Sequence, residues 1–101
     1  MERAPIPCPE MTDIRTRIDA LDKRLVAMLV ERQALIKEAG RVKPDRHQIR
    51  DEARIEEVIA LVQAEAQAQG LSPRLAEAVW RQLIEQSIAY EYDVFDTRAE
   101  K

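Results

Sequence analysis

Apolar residues recur at alternating three- and four-residue intervals along the first part of the chain. This period places them on one face of a helix. Pro44 excludes continuation of that helix, and Thr12 or Asp13 is a suitable N-cap for its start. We therefore predict a first helix from about residue 12 to residues 40–43. The apolar positions are Met11, Ile14, Ile18, Leu21, Leu25 and Met28, followed after a gap by Leu35 and Ala39.

Two further helices are predicted in the second half of the chain. Residues 44–50 lack periodicity and should form a loop, after which residues 51–52 supply an acidic first turn. Gly70 is a suitable stop for the second helix, and Ser72 followed by Pro73 is typical of the start of a third. The third helix should extend to about residue 95. The predicted apolar positions are Ile55, Val58, Ile59 and Val62, then Ala76, Val79, Trp80, Leu83, Ile84, Ile88 and Val94.

The composition is typical of an all-α protein. Aromatic residues are only 4% of the chain, charged residues are 35%, and there are 2 glycines. A chain of 101 residues can form one domain, and its own core is small. We predict a domain over residues 12–96, with residues 1–11 as a flexible N-terminal tail and residues 97–101 as a C-terminal tail.

The first predicted helix is too long for a compact monomer of this size. About 30 residues at ~1.5 Å per residue span roughly 45 Å. A compact 100-residue domain has a diameter of only about 26 Å. The three- and four-residue spacing is also the one at which helices pack side by side along their length. We therefore expect two chains to intertwine as a homodimeric helical bundle.

Charge and residue usage argue against several classes of function. The formal net charge is −3 and the basic residues are spread along the chain, so neither nucleic acid nor a membrane is an expected partner. Cys8 and His47 are the single cysteine and histidine, which excludes an internal disulfide and a Cys/His zinc cluster. No phosphate-binding glycine motif and no apolar run of signal-peptide length is present. We expect a cytoplasmic protein without a bound metal.

Four cations lie on or beside the predicted apolar faces. Arg32 interrupts the face of the first helix, and Lys43, 11 residues later, returns to within about 20° of the same direction. Arg15 borders that face, and Arg54 flanks the face of the second helix. Any one of them could lay its stem on apolar surface and extend its charge into water. An acidic neighbour such as Glu31 could also neutralise Arg32 in a structural ion pair.

Two polar residues also lie on the predicted apolar face of the third helix. Ser87 is within that face and Glu91 is one turn further along it. Ser87 could be a small spacer between helices, and Glu91 could lie at a helix edge. Together with the four cations, they could instead line one polar pocket in an otherwise apolar bundle.

The distance between two of the arginines indicates how such a pocket would be assembled. Arg15 and Arg32 are 17 residues apart, which corresponds to roughly 25 Å on one straight helix. One small ligand therefore cannot contact both within one chain. An antiparallel partner helix would bring its own Arg15 beside this chain's Arg32, and two-fold symmetry would create a second identical site. Such a site suits a small, multiply charged acid.

Three stretches of the chain occur in an order that is typical of one enzyme family. They include R-x-x-I-D-x-x-D at residues 15–22, E-R at residues 31–32 and D-x-x-R at residues 51–54. The full stretches are DIRTRIDALDKRLVAMLVERQALIKEAGRVK, IRDEARIEEVI and LIEQSIAYE. In this order they resemble the all-helical class of chorismate mutases and the related isochorismate–pyruvate lyases, over almost the whole chain.

The resemblance implies an intertwined dimer with two active sites. Arg15 would cross from the partner chain, and Arg32 would hold a carboxylate of the substrate with it. Lys43 would contact a carboxylate and the ether oxygen. The implied reaction is the rearrangement of chorismate to prephenate, in aromatic amino-acid biosynthesis, which needs no cofactor, no metal and no nucleophile. Conformational restriction and cations directed at the ether oxygen would supply the catalysis.

The resemblance assigns smaller roles to three further residues. Arg54 would add a charge-assisted contact to the substrate. Asp51 would present its backbone near the ring hydroxyl group. Ser87 would help to hold a carboxylate.

Two positions depart from the commonest mutase pattern. Glu91 lies where many members carry a glutamine that donates to the ether oxygen, and a carboxyl group donates only when it is protonated. Ile55 lies where mutases often carry a glutamate that binds the ring hydroxyl, and the lyases tend to have an apolar residue there. Elimination of pyruvate from isochorismate to give salicylate is therefore an alternative function. A non-catalytic helical dimer is a second alternative.

Overall fold

A computed structural model describes residues 8–98, and the regular elements in that range are all helical. They are α1 (Pro9–Val42), a one-turn 3₁₀ helix (Arg46–Gln48), α2 (Glu52–Gln69) and α3 (Pro73–Thr97). The all-α prediction is confirmed. The 3₁₀ helix lies in the segment that we expected to be a loop, and the Asp45 carboxylate accepts a hydrogen bond from the His47 amide at its start.

Helix α1 begins earlier than the sequence pattern indicated. It starts at Pro9, which suits this position because amide hydrogens in the first turn of a helix have no carbonyl partner within the helix. The Thr12 amide donates to the Cys8 carbonyl at 2.9 Å. Thr12 is therefore already within the helix, and the prediction of Thr12 or Asp13 as the N-cap was wrong. Residues 9–11 of the expected tail are helical, and residues 1–7 lie outside the described residues.

The predicted starts of α2 and α3 and the predicted stop of α2 are confirmed. The Asp51 carboxylate accepts from the Arg54 amide at 3.0 Å, and the Ser72 hydroxyl accepts from the Leu75 amide at 3.2 Å. Gly70 ends α2 in the left-handed conformation, with φ of 85°. Helix α3 continues two residues past the expected end, to Thr97. Residues 99–101 lie outside the described residues.

The chain divides into two compact units, Met1–Arg32 and Gln33–Lys101. Within the described part of the first unit, the apolar face that the sequence predicts is largely open to solvent. Its side chains are between 37% and 65% exposed. They are Met11, Ile14, Ile18, Leu21, Leu25 and Met28. The face is therefore apolar surface that the single chain leaves in contact with water.

The second unit contains a small core between α2 and α3. It is a cluster of isoleucines, against which Val58, Trp80, Tyr92 and Phe95 pack. The members of the cluster are Ile49, Ile55, Ile59, Ile84 and Ile88. Four of these were expected from the helical period. Ile49 was not, because it follows the 3₁₀ helix in a segment without periodicity.

Val79 corrects the predicted apolar face of α3. It was expected to be buried, but its side chain is 49% exposed. The buried row follows four-residue steps through Ala76, Ile84 and Ile88. Val79 is about 100° around the helix axis from its half-buried neighbour Trp80, which lies on that row.

Arg81 connects α2 and α3 through charged contacts at the edge of the core. Its guanidinium donates to both oxygens of Glu56 on α2, at 3.0 and 2.9 Å, and to Glu77 on its own helix at 2.9 Å. The hydrogen bond from Arg81 lowers the pKa of the Glu56 carboxyl group. These contacts hold the two helices in register.

Two further arginines attach the preceding chain to the end of α3. Arg98 donates to the carbonyl oxygens of Gly40 and Arg41, at 3.0 and 2.9 Å, and its guanidinium lies over the Phe95 ring. Arg46 donates to Asp96 at 2.9 Å. The end of α1 and the 3₁₀ helix are therefore both held on the last turns of α3.

Substitution Arg81→Gln should reduce the stability of the fold in a pH-dependent way. Because the folded-state pKa of Glu56 is lowered, the stabilisation is present above the ordinary pKa of glutamate, about 4.3, and is lost as pH falls through the folded-state value. Urea unfolding at one fixed protein concentration should show a deficit at pH 7 that shrinks at pH 3. Arg74→Gln, at an exposed arginine on the same helix, is the control; a deficit that is equal at both pH values would contradict the prediction.

Candidate active site

The second unit brings together two residues that the sequence placed on different helices, Lys43 and Glu91. Lys43 directly follows α1, and its amide still donates to the Ala39 carbonyl at 3.0 Å, so the helical path continues to this residue. Its ammonium Nζ lies 2.6 Å from Glu91 Oε2 on α3. The two form an ion pair, and this contact is the chemical centre of the candidate site.

Glu91 is a buried carboxylate on the apolar side of α3. Its side chain is only 6% exposed, whereas that of Lys43 is 28% exposed. Although Oε2 is within ion-pair distance of Lys43, it has no hydrogen bond of suitable geometry to any of the described residues. Buried polar atoms normally have a polar or charged partner, and the Lys43 ammonium is the partner of this oxygen.

The position of Glu91 follows from the helical period of α3. Ile84 and Ile88 are buried in the isoleucine cluster, and Glu91 comes three residues after Ile88 on the same side of the helix. The sequence therefore predicted the direction of this side chain correctly. An ionised carboxylate on that side needs a positive partner, and Lys43 provides it.

Ile55 and Ser87 lie in the same unit and have defined partners. Ile55 is 8% exposed and belongs to the isoleucine cluster. Ser87 is half-buried, and its hydroxyl donates to the Leu83 carbonyl one turn earlier, at 2.7 Å. Such a bond is common for serine in helices. Contact between Ser87 and a substrate carboxylate stays a prediction.

Asp51 and Arg54 occupy the start of α2. The Asp51 carboxylate caps the helix, and Arg54 pairs with Glu57 at 2.5 Å, with both of those side chains 61% exposed. An exposed pair of this kind contributes little stability. Arg50, just before the cap, donates to Glu52 at 3.1 Å and also to Glu85 on α3.

Arg15 and Arg32 belong to the first unit and are both on α1. Arg15 is exposed, whereas Arg32 is half-buried at the point where it interrupts the apolar face. Loss of solvation lowers the pKa of the Arg32 guanidinium. An arginine nevertheless keeps its positive charge at neutral pH, so Arg32 is a partly desolvated cation.

Comparison with known proteins identifies the family. The family model described as chorismate mutase type II matches residues 14–92, a range that contains every candidate site residue named above. The chain belongs to the type II chorismate mutase family.

One curated relative of this chain is the T-protein of Enterobacter agglomerans. The two are 36% identical over 86 residues, which are 83% of this chain and 23% of the relative. The chain thus spans about a quarter of the length of the curated relative that it matches.

The structure also places Gly40, to which the sequence analysis gave no part in the site, beside Glu91. Gly40 is buried within α1 and lies against Glu91 and Val94 of α3. The sequence contained a signal for this close packing, because Gly40 is one of only 2 glycines and lies inside a strongly helical pattern.

Within residues 8–98, no group of three His, Cys, Asp or Glu side chains is arranged to hold a metal ion. No helix in that range combines the length and the apolar character needed to cross a membrane.

Proposed function

We propose that this chain is a chorismate mutase, which converts chorismate to prephenate by an intramolecular Claisen rearrangement. The observation that carries the proposal is the contact of Lys43 with the buried Glu91 in a chain of the type II chorismate mutase family. It places one cationic donor and one carboxyl group at the same point. Both are groups that can act on an ether oxygen, and the product would serve aromatic amino-acid biosynthesis.

The reaction transfers no atom to or from the protein. The bond between the ring carbon and the ether oxygen breaks while a bond forms between the enolpyruvyl methylene carbon and the ring. Negative charge grows on the ether oxygen as its bond to the ring breaks, and that oxygen becomes the ketone oxygen of prephenate. The Lys43 ammonium, which is 28% exposed, can reach a ligand and stabilise this charge.

Glu91 acts in this proposal as a neutral donor. A protonated carboxyl group can donate to the ether oxygen, whereas a carboxylate only accepts. Its Oε2 atom lies 2.6 Å from the Lys43 ammonium, so a ligand atom held by Lys43 would also lie close to this carboxyl group.

The remaining roles are proposed from the family resemblance. Arg32, a half-buried cation, holds a substrate carboxylate. Arg54 exchanges its exposed partner Glu57 for the substrate. The Asp51 backbone contacts the ring hydroxyl, and Ser87 assists at a carboxylate.

A second copy of the chain completes the site in this proposal. The apolar face of α1 in the first unit is exposed in a single chain, and a partner helix would cover it. In the intertwined homodimer, Arg15 of each chain joins Arg32 and Lys43 of the other. The dimer then has two equivalent sites related by two-fold symmetry.

The burial of Ile55 favours isochorismate–pyruvate lyase as a second candidate function. Ile55 is 8% exposed and apolar, so it cannot bind the ring hydroxyl as a glutamate would. Isochorismate differs from chorismate in the position of that hydroxyl. Elimination from isochorismate in the same pocket would give salicylate and pyruvate. A non-catalytic helical dimer would convert neither compound.

Incubation of the purified chain with chorismate and, separately, with isochorismate tests the proposal. We expect prephenate from chorismate and little salicylate from isochorismate, because the family and the Lys43–Glu91 contact favour the rearrangement. Products should be identified by chromatography and mass spectrometry, with the enzyme-free rates subtracted. Salicylate as the main product would establish the lyase, and no product from either compound would establish the non-catalytic alternative.

Mixing of two inactive variants tests the contribution of Arg15 across the dimer. Lys43→Ala should lower kcat/KM by about 10²–10³-fold while the dimer remains, because one transition-state donor is lost. Arg15→Ala should also be strongly impaired. After co-refolding in equal amounts, about a quarter of all sites should combine intact Arg15 and Lys43, so activity should return to about a quarter of the wild-type value.

The matched control for this experiment is a mixture of Arg32→Ala and Lys43→Ala. In the proposed dimer, each site takes Arg32 and Lys43 from one chain and Arg15 from the other. Every site in the heterodimer therefore lacks one of them, and no activity should return. Equal recovery in both mixtures, or no recovery in the first although heterodimers form, would refute the exchange of Arg15.

Substitution Glu91→Gln should change how the activity depends on pH. In the wild type, kcat/KM should increase as pH falls, because only the protonated carboxyl group donates to the ether oxygen. An amide donates at every pH, so the variant should have a flatter profile. Initial rates between pH 4.5 and 8.5 measure this, with the exposed Glu38→Gln as the control. A variant profile that matches the wild type would remove Glu91 from the mechanism.

A further inference from the structure

Gly40 lies at a point where α1 and α3 approach closely. A Cβ atom at this position would lie 3.0 Å from Val94 Cγ1 and 3.2 Å from both Glu91 Cγ and the Glu91 carbonyl oxygen. Ordinary van der Waals contacts of a carbon atom are between about 3.5 and 4.0 Å. The absence of a side chain at Gly40 is therefore what allows Glu91 to pass this close to α1.

The backbone around Gly40 is held on α3 and cannot easily move away. Arg98 donates to the carbonyl oxygens of Gly40 and Arg41, and its guanidinium is 3.7 Å from the centre of the Phe95 ring. The Glu91 carbonyl is itself part of the α3 backbone. The groups that can give way to an added Cβ are consequently the side chains of Val94 and Glu91.

Displacement of the Glu91 side chain would act directly on its carboxylate. Gly40 is three residues before Lys43, whose Nζ lies 2.6 Å from Glu91 Oε2. Side chains occupy discrete staggered rotamers, so crowding at Cγ changes where the carboxylate lies. The missing side chain at Gly40 thus leaves room for Glu91 Cγ, while the Glu91 carboxylate lies at Lys43.

We propose that Gly40 is a positioning residue for Glu91, and that its missing side chain places the Glu91 carboxyl group at Lys43 in the candidate active site. The inference rests on the proposed function for its catalytic consequence. The position of the Glu91 carboxyl group at Lys43 can be tested in the ligand-free protein.

Substitution Gly40→Ala should lower kcat about tenfold and change KM little. Alanine is ordinarily the better residue inside a helix, so a loss cannot come from helix propensity. Glu91 is proposed to contact the ether oxygen mainly in the transition state, so its displacement affects kcat. A displacement of about 1 Å can cost up to about 10²-fold in rate, and a smaller one proportionally less.

Two double variants separate positioning from general packing. Gly40→Ala/Val94→Ala removes the nearest contact of the new Cβ and leaves those with Glu91, so the loss in kcat should persist. Gly40→Ala/Glu91→Ala removes Glu91 Cγ, so the added Cβ should cause no further loss beyond that of Glu91→Ala alone. Full recovery in the first pair, or an undiminished tenfold effect in the second, would overturn the inference.

Crystal structures of the wild type and Gly40→Ala provide a readout that does not depend on activity. We expect the distance between Lys43 Nζ and Glu91 Oε2 to increase from 2.6 Å to beyond about 4 Å, the limit of an ion pair. An unchanged distance would overturn the inference. If Gly40→Ala does not fold, Gly40→Ala/Val94→Ala is compared with Val94→Ala by the same criterion.

The two measurements also distinguish this inference from the proposed function. A wild-type protein that does not convert chorismate would refute the proposed function, and the crystal structures would still decide whether Gly40 positions Glu91. A wild-type protein that is active, combined with an unchanged Lys43–Glu91 distance and kcat in Gly40→Ala, would refute only the role of Gly40.

Discussion

A carboxylate that is removed from water needs a compensating positive charge, and the contact between Glu91 and Lys43 meets this need. Glu91 is 4% exposed and Lys43 lies 2.6 Å away. Loss of one member of a buried pair leaves the other uncompensated, at a cost of about 3–5 kcal/mol for a fully buried pair. The partial exposure of Lys43 reduces that figure. The end of α1 must therefore remain on α3, and the Arg98 bonds to the Gly40 and Arg41 carbonyls hold it there.

The distribution of apolar residues leads to a second constraint. The second unit has a core of five isoleucines between α2 and α3, whereas the first unit exposes a row of large apolar side chains along α1. At about 25 cal/mol per Å² of apolar surface, leaving such a row in water forgoes a large stabilisation. A helix with this surface gains most from a partner that buries it along its length. In the proposed homodimer, this partner would also supply the Arg15 that one chain cannot bring to its own Arg32.

Helical periodicity predicted directions around each helix axis well and predicted distances between helices poorly. Residue types at the helix ends identified the starts at Asp51 and Ser72 and the stop at Gly70, and periodicity placed Glu91 on the buried side of α3. The start at Pro9 was missed because residues 1–11 were assigned to a flexible tail, although a proline suits a first helical turn. Periodicity also missed Ile49, because this residue follows the 3₁₀ helix in a segment without a regular spacing of apolar residues. Gly40 was missed for a related reason: periodicity does not show which glycine lies so close to another helix that an added Cβ atom would be 3.0 to 3.2 Å from its atoms.

The ion pairs of the second unit differ in how readily an anionic ligand could replace their carboxylates. Arg54 and Glu57 are both 61% exposed, so a ligand carboxylate can replace Glu57 while that side chain returns to water. Glu91 cannot return to water in the same way, because it is buried against α1. The contact between Lys43 and Glu91 therefore persists where the contact between Arg54 and Glu57 can be exchanged, so a ligand would add to the first pair and would replace one member of the second.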